Sequence, residues 1–372
     1  MRRYSAYDPP EYADWVPAPE LVESYRARIE QHPHRAAYLD AIGEEDLLDV
    51  YRHLLRTRLH DWTLKRWVRQ GVISKAWLST GEEAVTVGAV AALNRERDHV
   101  YPMIRNAGAC HMMGMSLADS FRGYLASRDG PNGGRDIHIG SPEQGVIPPV
   151  SQMGTNAGVM AGVAMGLRWG GTGGVALTWV GDGAARTGVA HEGINLAAVQ
   201  NAPVVFILQN NQVALGTTVE KHGRGDLEAW PEMYGLPAHS CDGNNVLDVY
   251  ATCSWAADLC REGGGPAMVV TTTFRMGGHA THDEREARET FPSELFEAWG
   301  RRDPIGLYEA HLQHRGIEAL RLEDVEEGVV REMEEAEREA LESRHLTPSP
   351  ERARYDGVTE NGTLAGLHNR PV

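Results

Sequence analysis

The sequence predicts an α/β fold of three layers, in which helices cover both faces of a doubly wound, mainly parallel sheet. Helical or extended segments flank it at the N- and C-terminal ends. Three observations predict this. First, short apolar runs alternate with helical stretches from about residue 82 to 300, as they do where crossover helices bury parallel strands on both faces. Second, one complete βαβ unit is legible. Val175–Val180 is apolar and partly β-branched, Val204–Leu208 is the next strand, the helical stretch Val189–Gln200 lies between them, and Asn201-Ala202-Pro203 stops that helix. Third, both strands run into small polar clusters, Gly181-Asp182-Gly183 and Asn210-Asn211. The carboxyl ends of strands are where open α/β sheets present their binding groups.

The elements follow in order. Residues 1–20 are rich in Pro, Tyr and Trp without a steady period and read as an extended arm. Helical patterning begins near Leu21 and returns at 44–71, where Leu47, Leu48, Tyr51, Leu54 and Leu55 share a face. Gly154, Gly158, Gly162 and Gly166 recur every four residues along the next clear helix. Glycine costs about 1 kcal/mol per helix position relative to alanine, so the row needs a reason. Either the same helix of a second subunit approaches along it, or the helix crosses the sheet closely within one chain. Gly170-Gly171-Thr172-Gly173-Gly174 is the turn that feeds the βαβ unit, and Val269–Phe274 is a later strand. Leu322–Ser343 is an acidic amphipathic helix with Val325, Val329, Met333, Ala336 and Ala340 on one stripe. The expected organisation is an arm and first helix over 1–40, the α/β domain over 41–300, and a helical segment with an irregular tail over 301–372.

Composition narrows the function classes. Of 372 residues, 42% are apolar and 24% charged, as in globular proteins. The net charge of −16 repels phosphate backbones and argues against nucleic acid as a partner. Cys110, Cys241, Cys253 and Cys260 form no CxxC pair and fit no zinc or disulfide framework, which points to a reducing compartment. Tyr4, Asp8, Glu11 and Asp14 stand where a signal peptide needs its apolar run. The uncharged stretches 144–167 and 193–219 carry too many Pro, Asn, Gln and Ser residues to span a membrane. A cytoplasmic protein without a membrane segment is expected.

The strand-end clusters suggest a chemistry. Asp182 offers a hard carboxylate and Asn211 a neutral amide oxygen, donors suited to Mg²⁺ or Ca²⁺. The helix that follows directs its N-terminus at the same place, favouring phosphate. Gly183, Ala184 and Ala185 are small enough for a diphosphate to lie along the backbone. A Gly-Asp-Gly alone is more often a tight turn. A dinucleotide fingerprint, as in a Rossmann-type NAD-dependent oxidoreductase, competes, but Gly188 falls two places late and no ribose-binding acid is evident.

The text from Gly181 to Thr217, GDG followed within thirty residues by NN, resembles the thiamine diphosphate motif. The fuller stretch 181-GDGAARTGVAHEGINLAAVQNAPVVFILQNNQVALGT-217 resembles the alpha subunit of the decarboxylating dehydrogenase component of 2-oxoacid dehydrogenase complexes. Four more blocks fall in the right order: 81-GEEAVTVGAVAAL-93, 104-IRNAG-108, 151-SQMGTNAG-158 and 274-FRMGGHATHDE-284. The run Arg275-Met-Gly-Gly-His279 and the segment 298-AWGRRDPI-305 lean toward the branched-chain type over the pyruvate type.

The resemblance implies the diphosphate-binding half of a thiamine diphosphate-binding fold. It implies that Asp182, Asn211 and the Val213 carbonyl coordinate Mg²⁺, and that Arg105 pairs with the diphosphate beside Gly183, Ala184 and Ala185. Ser151 and Met153 would contact the aminopyrimidine side, and His279 would be a catalytic loop residue beside the thiazolium. Arg275 would hold that loop through acidic partners. Ile104, Gln209, Val213 and Arg186 depart from the pattern, and Ala280 stands where eukaryotic relatives carry a phosphorylated serine. The implied reaction is oxidative decarboxylation of a 2-oxoacid with acyl transfer to a lipoyl group. The implied partners are a beta subunit carrying the activating glutamate, in an alpha2beta2 assembly, and a lipoylated dihydrolipoyl acyltransferase core. An acetoin dehydrogenase alpha subunit, or a catalytically silent structural subunit, would share these motifs.

Overall fold

The computed structural model describes residues 19–351, 353 and 355; the arm read over 1–20 and the tail after Pro348 lie almost wholly outside them. In chain order, α1 (Pro19–Glu30), α2 (Pro33–Asp40), α3 (Glu44–Arg69) and α4 (Glu83–Ala91) lead to β1 (His99–Tyr101). Then come α5 (Gly108–Met112), α6 (Leu117–Tyr124), α7 (Thr155–Trp169), β2 (Ala176–Gly181), α8 (Gly188–Gln200) and β3 (Val204–Asn210). A short hairpin, β4 (Val213–Ala214) and β5 (Thr217–Thr218), leads through α9 (Val219–His222) to β6 (Ala238–Asp242), α10 (Val246–Arg261) and β7 (Ala267–Thr272). Four helices close the chain: α11 (Glu284–Thr290), α12 (Ser293–Gly300), α13 (Pro304–His314) and α14 (Ala319–Glu342).

The main sheet has the order β1-β2-β3-β7-β6, and every neighbouring pair is parallel. Alternating residues of one strand feed two cores. Leu177 and Trp179 of β2, with Val205 and Ile207 of β3, pack with Val85 and Val87 of α4 and Val249 and Ala256 of α10. Ala176, Val180, Val204, Phe206 and Leu208 face the other way, onto Met160, Ala161 and Ala164 of α7 and Ile194 and Ala197 of α8. Period-two alternation in strands that are apolar throughout is what burial on both faces requires.

Helices α1, α2, α3, α5, α6, α13 and α14 pack on the first of these cores. Val329, Met333, Ala336 and Ala340 of α14 are buried, while Arg56 and Trp67 of α3 donate to Glu332 (2.8 Å) and Glu337 (2.7 Å) on its polar side. Arg35 of α2 donates to Asp248 of α10 at 2.9 Å.

Two sequence expectations shift. The strand read as Val269–Phe274 starts and ends two residues earlier, because Thr273 N turns to Asn210 O (3.0 Å) and Phe274 drops into a small aromatic cluster with Phe291 and Phe296. The glycine row divides. A Cβ on Gly193 of α8 would collide with the Gly158 backbone, whereas Gly162 and Gly166 have nothing within 4 Å of such an atom. Close packing against α8 within the chain therefore explains Gly158 and, where the chain enters α7 beside Thr187 and Ala190, Gly154, but not Gly162 or Gly166.

Candidate functional site

β2 and β3 are register neighbours, with Gly181 beside Gln209, so Asp182 and Asn211 leave the sheet side by side at its carboxyl edge. Asp182 is 3% exposed. Its Oδ1 accepts from Gly183 N at 2.8 Å, while Oδ2 has no hydrogen-bond partner and lies 3.6 Å from His222 Nε2. Burial raises its pKa, against the pull of the Gly183 N–H and His222. The Asn211 amide is fixed at both ends: Nδ2 donates to Glu82 Oε1 at 2.8 Å, and Oδ1 accepts from Val213 N at 3.3 Å. The Val213 carbonyl accepts from Arg275 Nη1 at 3.4 Å.

The other two charged site residues meet on the next loops. Arg105, buried after β1, donates through Nη1 to the Leu78 carbonyl (2.8 Å). Its Nη2 faces both Nδ1 and the carbonyl of His279 at 3.3 Å, and Glu82 Oε2 lies 3.5 Å from Nη1. Arginine can only donate, so Nδ1 of His279 is the acceptor and the ring proton sits on Nε2. Burial first, and then the positive charges of Arg105 and Arg275, push the His279 pKa down to about 4. The imidazole is therefore neutral at pH 7.

Arg275 was expected to hold the loop through acids, and the structure corrects this. Its guanidinium donates to three carbonyls, those of Leu215 (2.6 Å), Gly277 (3.1 Å) and Val213 (3.4 Å). The chain leaves β7 beside the β4–β5 hairpin, whose backbone oxygens lie nearer than any carboxylate. Ala280 N to Asp283 Oδ1 (2.8 Å) and Thr281 N to Ala76 O (2.9 Å) close the loop.

After Asp182 the chain does not enter a helix directly. Ala184–Arg186 forms one 3₁₀ turn, and Thr187 then caps α8 by accepting from Ala190 N at 3.3 Å. Gly183 has no alternative at its position, since a Cβ there would lie 2.6 Å from that of Ala214.

Residues 51–349 match the family model described as dehydrogenase E1 component. The chain belongs to that family.

The alpha subunit of 2-oxoisovalerate dehydrogenase from Bacillus subtilis is 29% identical over 74% of this chain and 84% of its own length. The alpha subunit of the pyruvate dehydrogenase E1 component from the same organism is 31% identical over 82% of this chain and 81% of its own. The alpha subunit of 3-methyl-2-oxobutanoate dehydrogenase from Mycobacterium tuberculosis is 32% identical over 76% and 75%. Relatives of both substrate types thus match to a similar degree. The family is thiamine diphosphate-dependent, and the chain has the alpha-subunit function of a 2-oxoacid dehydrogenase, an oxidoreductase. Such a subunit implies a beta subunit and a larger complex as its partners. Among the described residues no helix is long and apolar enough to cross a membrane.

The residues at the strand ends fit an anionic cofactor with a cation. Asp182 Oδ2, Glu82 Oε2, both ring nitrogens of His222, and Nε and Nη2 of Arg186 are buried without hydrogen-bond partners. Buried polar atoms are costly unless something satisfies them. Among the described residues no three His, Cys, Asp or Glu side chains converge as a metal cluster, so a cation here draws on amide and carbonyl oxygens as well as Asp182. Asn211, Val213, Arg105 and His279 form one set of hydrogen bonds and ion pairs through Glu82 and Arg275, while Asp182 stands at the neighbouring strand end and feels the Arg275 charge. Ser151 and Met153 share no hydrogen bond or ion pair with these residues; they are exposed on the loop before α7, with Met153 60% exposed, and the following Gly154 abuts Thr187 at the start of α8. Ser151 Oγ meets His138 Nε2 at 3.3 Å, and His138 Nδ1 meets Asp136 at 2.7 Å.

Sequence reasoning missed Glu82 and His222. Gly81-Glu82-Glu83 gives no sign of which acid turns inward to which partner: Glu83 pairs with Arg58 of α3, and Glu82 with the strand-end amides. His222 belongs to no motif.

Proposed function

We propose that this chain is the alpha half of a 2-oxoacid dehydrogenase that binds thiamine diphosphate through Mg²⁺ and works on a 2-oxoacid, with branched-chain 2-oxoacids ahead of pyruvate. Asp182 Oδ2, Asn211 Oδ1 and the Val213 carbonyl would hold the cation, with Arg275 releasing that carbonyl as the cation arrives. Arg105 and the turn Gly183-Ala184-Ala185 would receive the diphosphate, and Ser151 and Met153 the aminopyrimidine side. When bound, thiamine diphosphate supplies the nucleophilic carbon and electron sink that the loss of CO₂ requires. His279 presents an Nε2–H donor from a neutral ring, suited to stabilising negative charge or passing a proton as the acyl group moves to a lipoyl disulfide. A beta subunit would contribute the glutamate that activates the cofactor, and a lipoylated dihydrolipoyl acyltransferase core would accept the product, in the cytoplasm.

The open side of α7 and α8 suits a second copy of the chain in an alpha2beta2 assembly. Gly162 and Gly166 are bare there, and Trp169 and Val199 are 73% and 72% exposed.

The observation that supports the reading best is the pair of oxygens at neighbouring strand ends, Asp182 Oδ2 without a partner and Asn211 Oδ1 held in place. The test is titration of the alpha–beta complex with Mg²⁺ and thiamine diphosphate, together with acylation of a lipoyl domain from branched-chain 2-oxoacids, pyruvate and acetoin. Asp182→Ala and Asn211→Ala should each weaken cofactor binding at least tenfold. Binding that survives both substitutions unchanged would remove the proposal.

A further inference from the structure

We infer that Glu82 is a positioning residue, whose carboxylate fixes the Asn211 amide with its oxygen, and not its nitrogen, toward the cation. The inference deepens the functional reading above and rests on Asn211 being a Mg²⁺ ligand.

An asparagine amide can face a cation in two ways, and only one of them binds. The choice belongs to whatever meets the other end of the amide. Here that group is Glu82, fully buried at the start of α4. Its Oε1 accepts from Asn211 Nδ2 at 2.8 Å and from Gln209 Nε2 at 2.6 Å. A carboxylate has no proton to donate, so each contact requires an amide nitrogen, and Asn211 Oδ1 is forced to the opposite side, where Val213 N donates to it at 3.3 Å. The carboxylate is itself anchored. Gln209 Oε1 accepts from Asn106 Nδ2 (3.1 Å), and Asn106 also donates to Thr86 Oγ1 (2.7 Å). The chain Thr86–Asn106–Gln209–Glu82–Asn211 therefore runs from α4 and the Arg105 loop to the end of β3.

The second oxygen, Oε2, has no hydrogen-bond partner and lies 3.5 Å from Arg105 Nη1. One buried carboxylate thus both orients the amide ligand and sits against the arginine proposed for the diphosphate. Partners behind a metal ligand commonly govern affinity by 10- to 100-fold. A purely electrostatic counter-ion to Arg105 would not be sensitive to which atom of residue 211 faces it.

The test exchanges amide and carboxylate. In Glu82→Gln the new side chain can turn its own NH₂ toward Asn211, which then flips and offers NH₂ to the cation. In the double variant Glu82→Gln/Asn211→Asp, the amide now at position 82 donates to the carboxylate now at position 211, whose other oxygen meets the cation. In Asn211→Asp alone, two carboxylates face each other. Each variant is assembled with its beta subunit, stripped of cofactor and divalent ions, and titrated with MgCl₂ at fixed thiamine diphosphate by calorimetry and tryptophan fluorescence.

Glu82→Gln should raise the Mg²⁺ concentration for half-saturation about 10- to 100-fold, with lost activity recovered by added Mg²⁺, and the double variant should bind more tightly than either single one. An unmoved half-saturation in Glu82→Gln, or a double variant no better than Asn211→Asp, overturns the inference. Should Glu82→Gln fail to assemble, comparison of the double variant with Asn211→Asp still decides. If Asp182→Ala and Asn211→Ala also leave Mg²⁺ binding intact, the metal reading itself falls; if they abolish it while Glu82→Gln does not, only the role of Glu82 falls.

Discussion

Asp182 holds a charge the fold does not fully compensate: one carboxylate oxygen is buried without a partner, and burial raises the group's pKa. Residues kept for binding commonly cost stability in the unliganded protein. Asp182→Asn should therefore raise the melting temperature of the cofactor-free chain, by about 1 kcal/mol in stability, and abolish the further rise that Mg²⁺ with thiamine diphosphate gives the native protein. Paired melts with and without ligand check both signs, and an unliganded variant less stable than the parent would count against it. His279 gives a pH prediction. Its folded pKa is about 4, below the ordinary value of about 6.5. A depressed histidine favours folding above the unfolded pKa, and that contribution is lost as pH falls from about 6.5 toward 4. Amide exchange over 276–283, corrected for intrinsic rates, should quicken across this window. Arg105→Met removes one of the cations that hold the ring neutral, so the pKa should move up from about 4. It should not reach the free value, because burial, the larger cause, remains. NMR titration of the labelled imidazole reads the shift; no movement would separate Arg105 from His279.

Among the elements, α7 and α8 form the contact most sensitive to size. A Cβ at Gly193 would meet the backbone of α7, with the Ala157 carbonyl carbon at 2.7 Å, and backbone cannot step aside as a rotamer can. Alanine improves helix propensity by about 1 kcal/mol, but overpacking costs roughly 1–3 kcal/mol and here meets two rigid helices. Gly193→Ala should therefore lose about 1–2 kcal/mol net in urea unfolding. The βαβ unit to which α8 belongs was the most legible part of the sequence, because β2 and β3 carry continuous apolar runs and the helix between them breaks clearly at Asn201-Ala202-Pro203. β1 and β6 were not legible. The first has three residues, and the second, Ala-His-Ser-Cys-Asp, is too polar to stand out from a loop. The site divides in the same way. Asp182 and Asn211 announce themselves by falling directly after strands, while Glu82 depends on which of two adjacent acids turns inward, a fact of packing that no local pattern records.

For the molecule as a whole, α7 carries opposite demands on its two sides, and a single substitution separates them. Gly158 meets α8 inside the chain, whereas Gly162 faces open space next to exposed Val159 and near Trp169. In the isolated chain Gly162→Leu meets no obstruction and replaces a poor helix former with a good one, so it should raise stability by up to about 1 kcal/mol. If a second copy of the chain packs its helix along this stripe, the same side chain pushes the two backbones apart, and the loss falls entirely on assembly. The variant should then melt later than the native chain when alone, yet sediment as a smaller species when mixed with its beta subunit, with lipoyl acylation reduced in proportion to the lost tetramer. A variant that assembles like the native chain would mean that the bare stripe is not the contact between copies, and the glycines at 162 and 166 would need another reason.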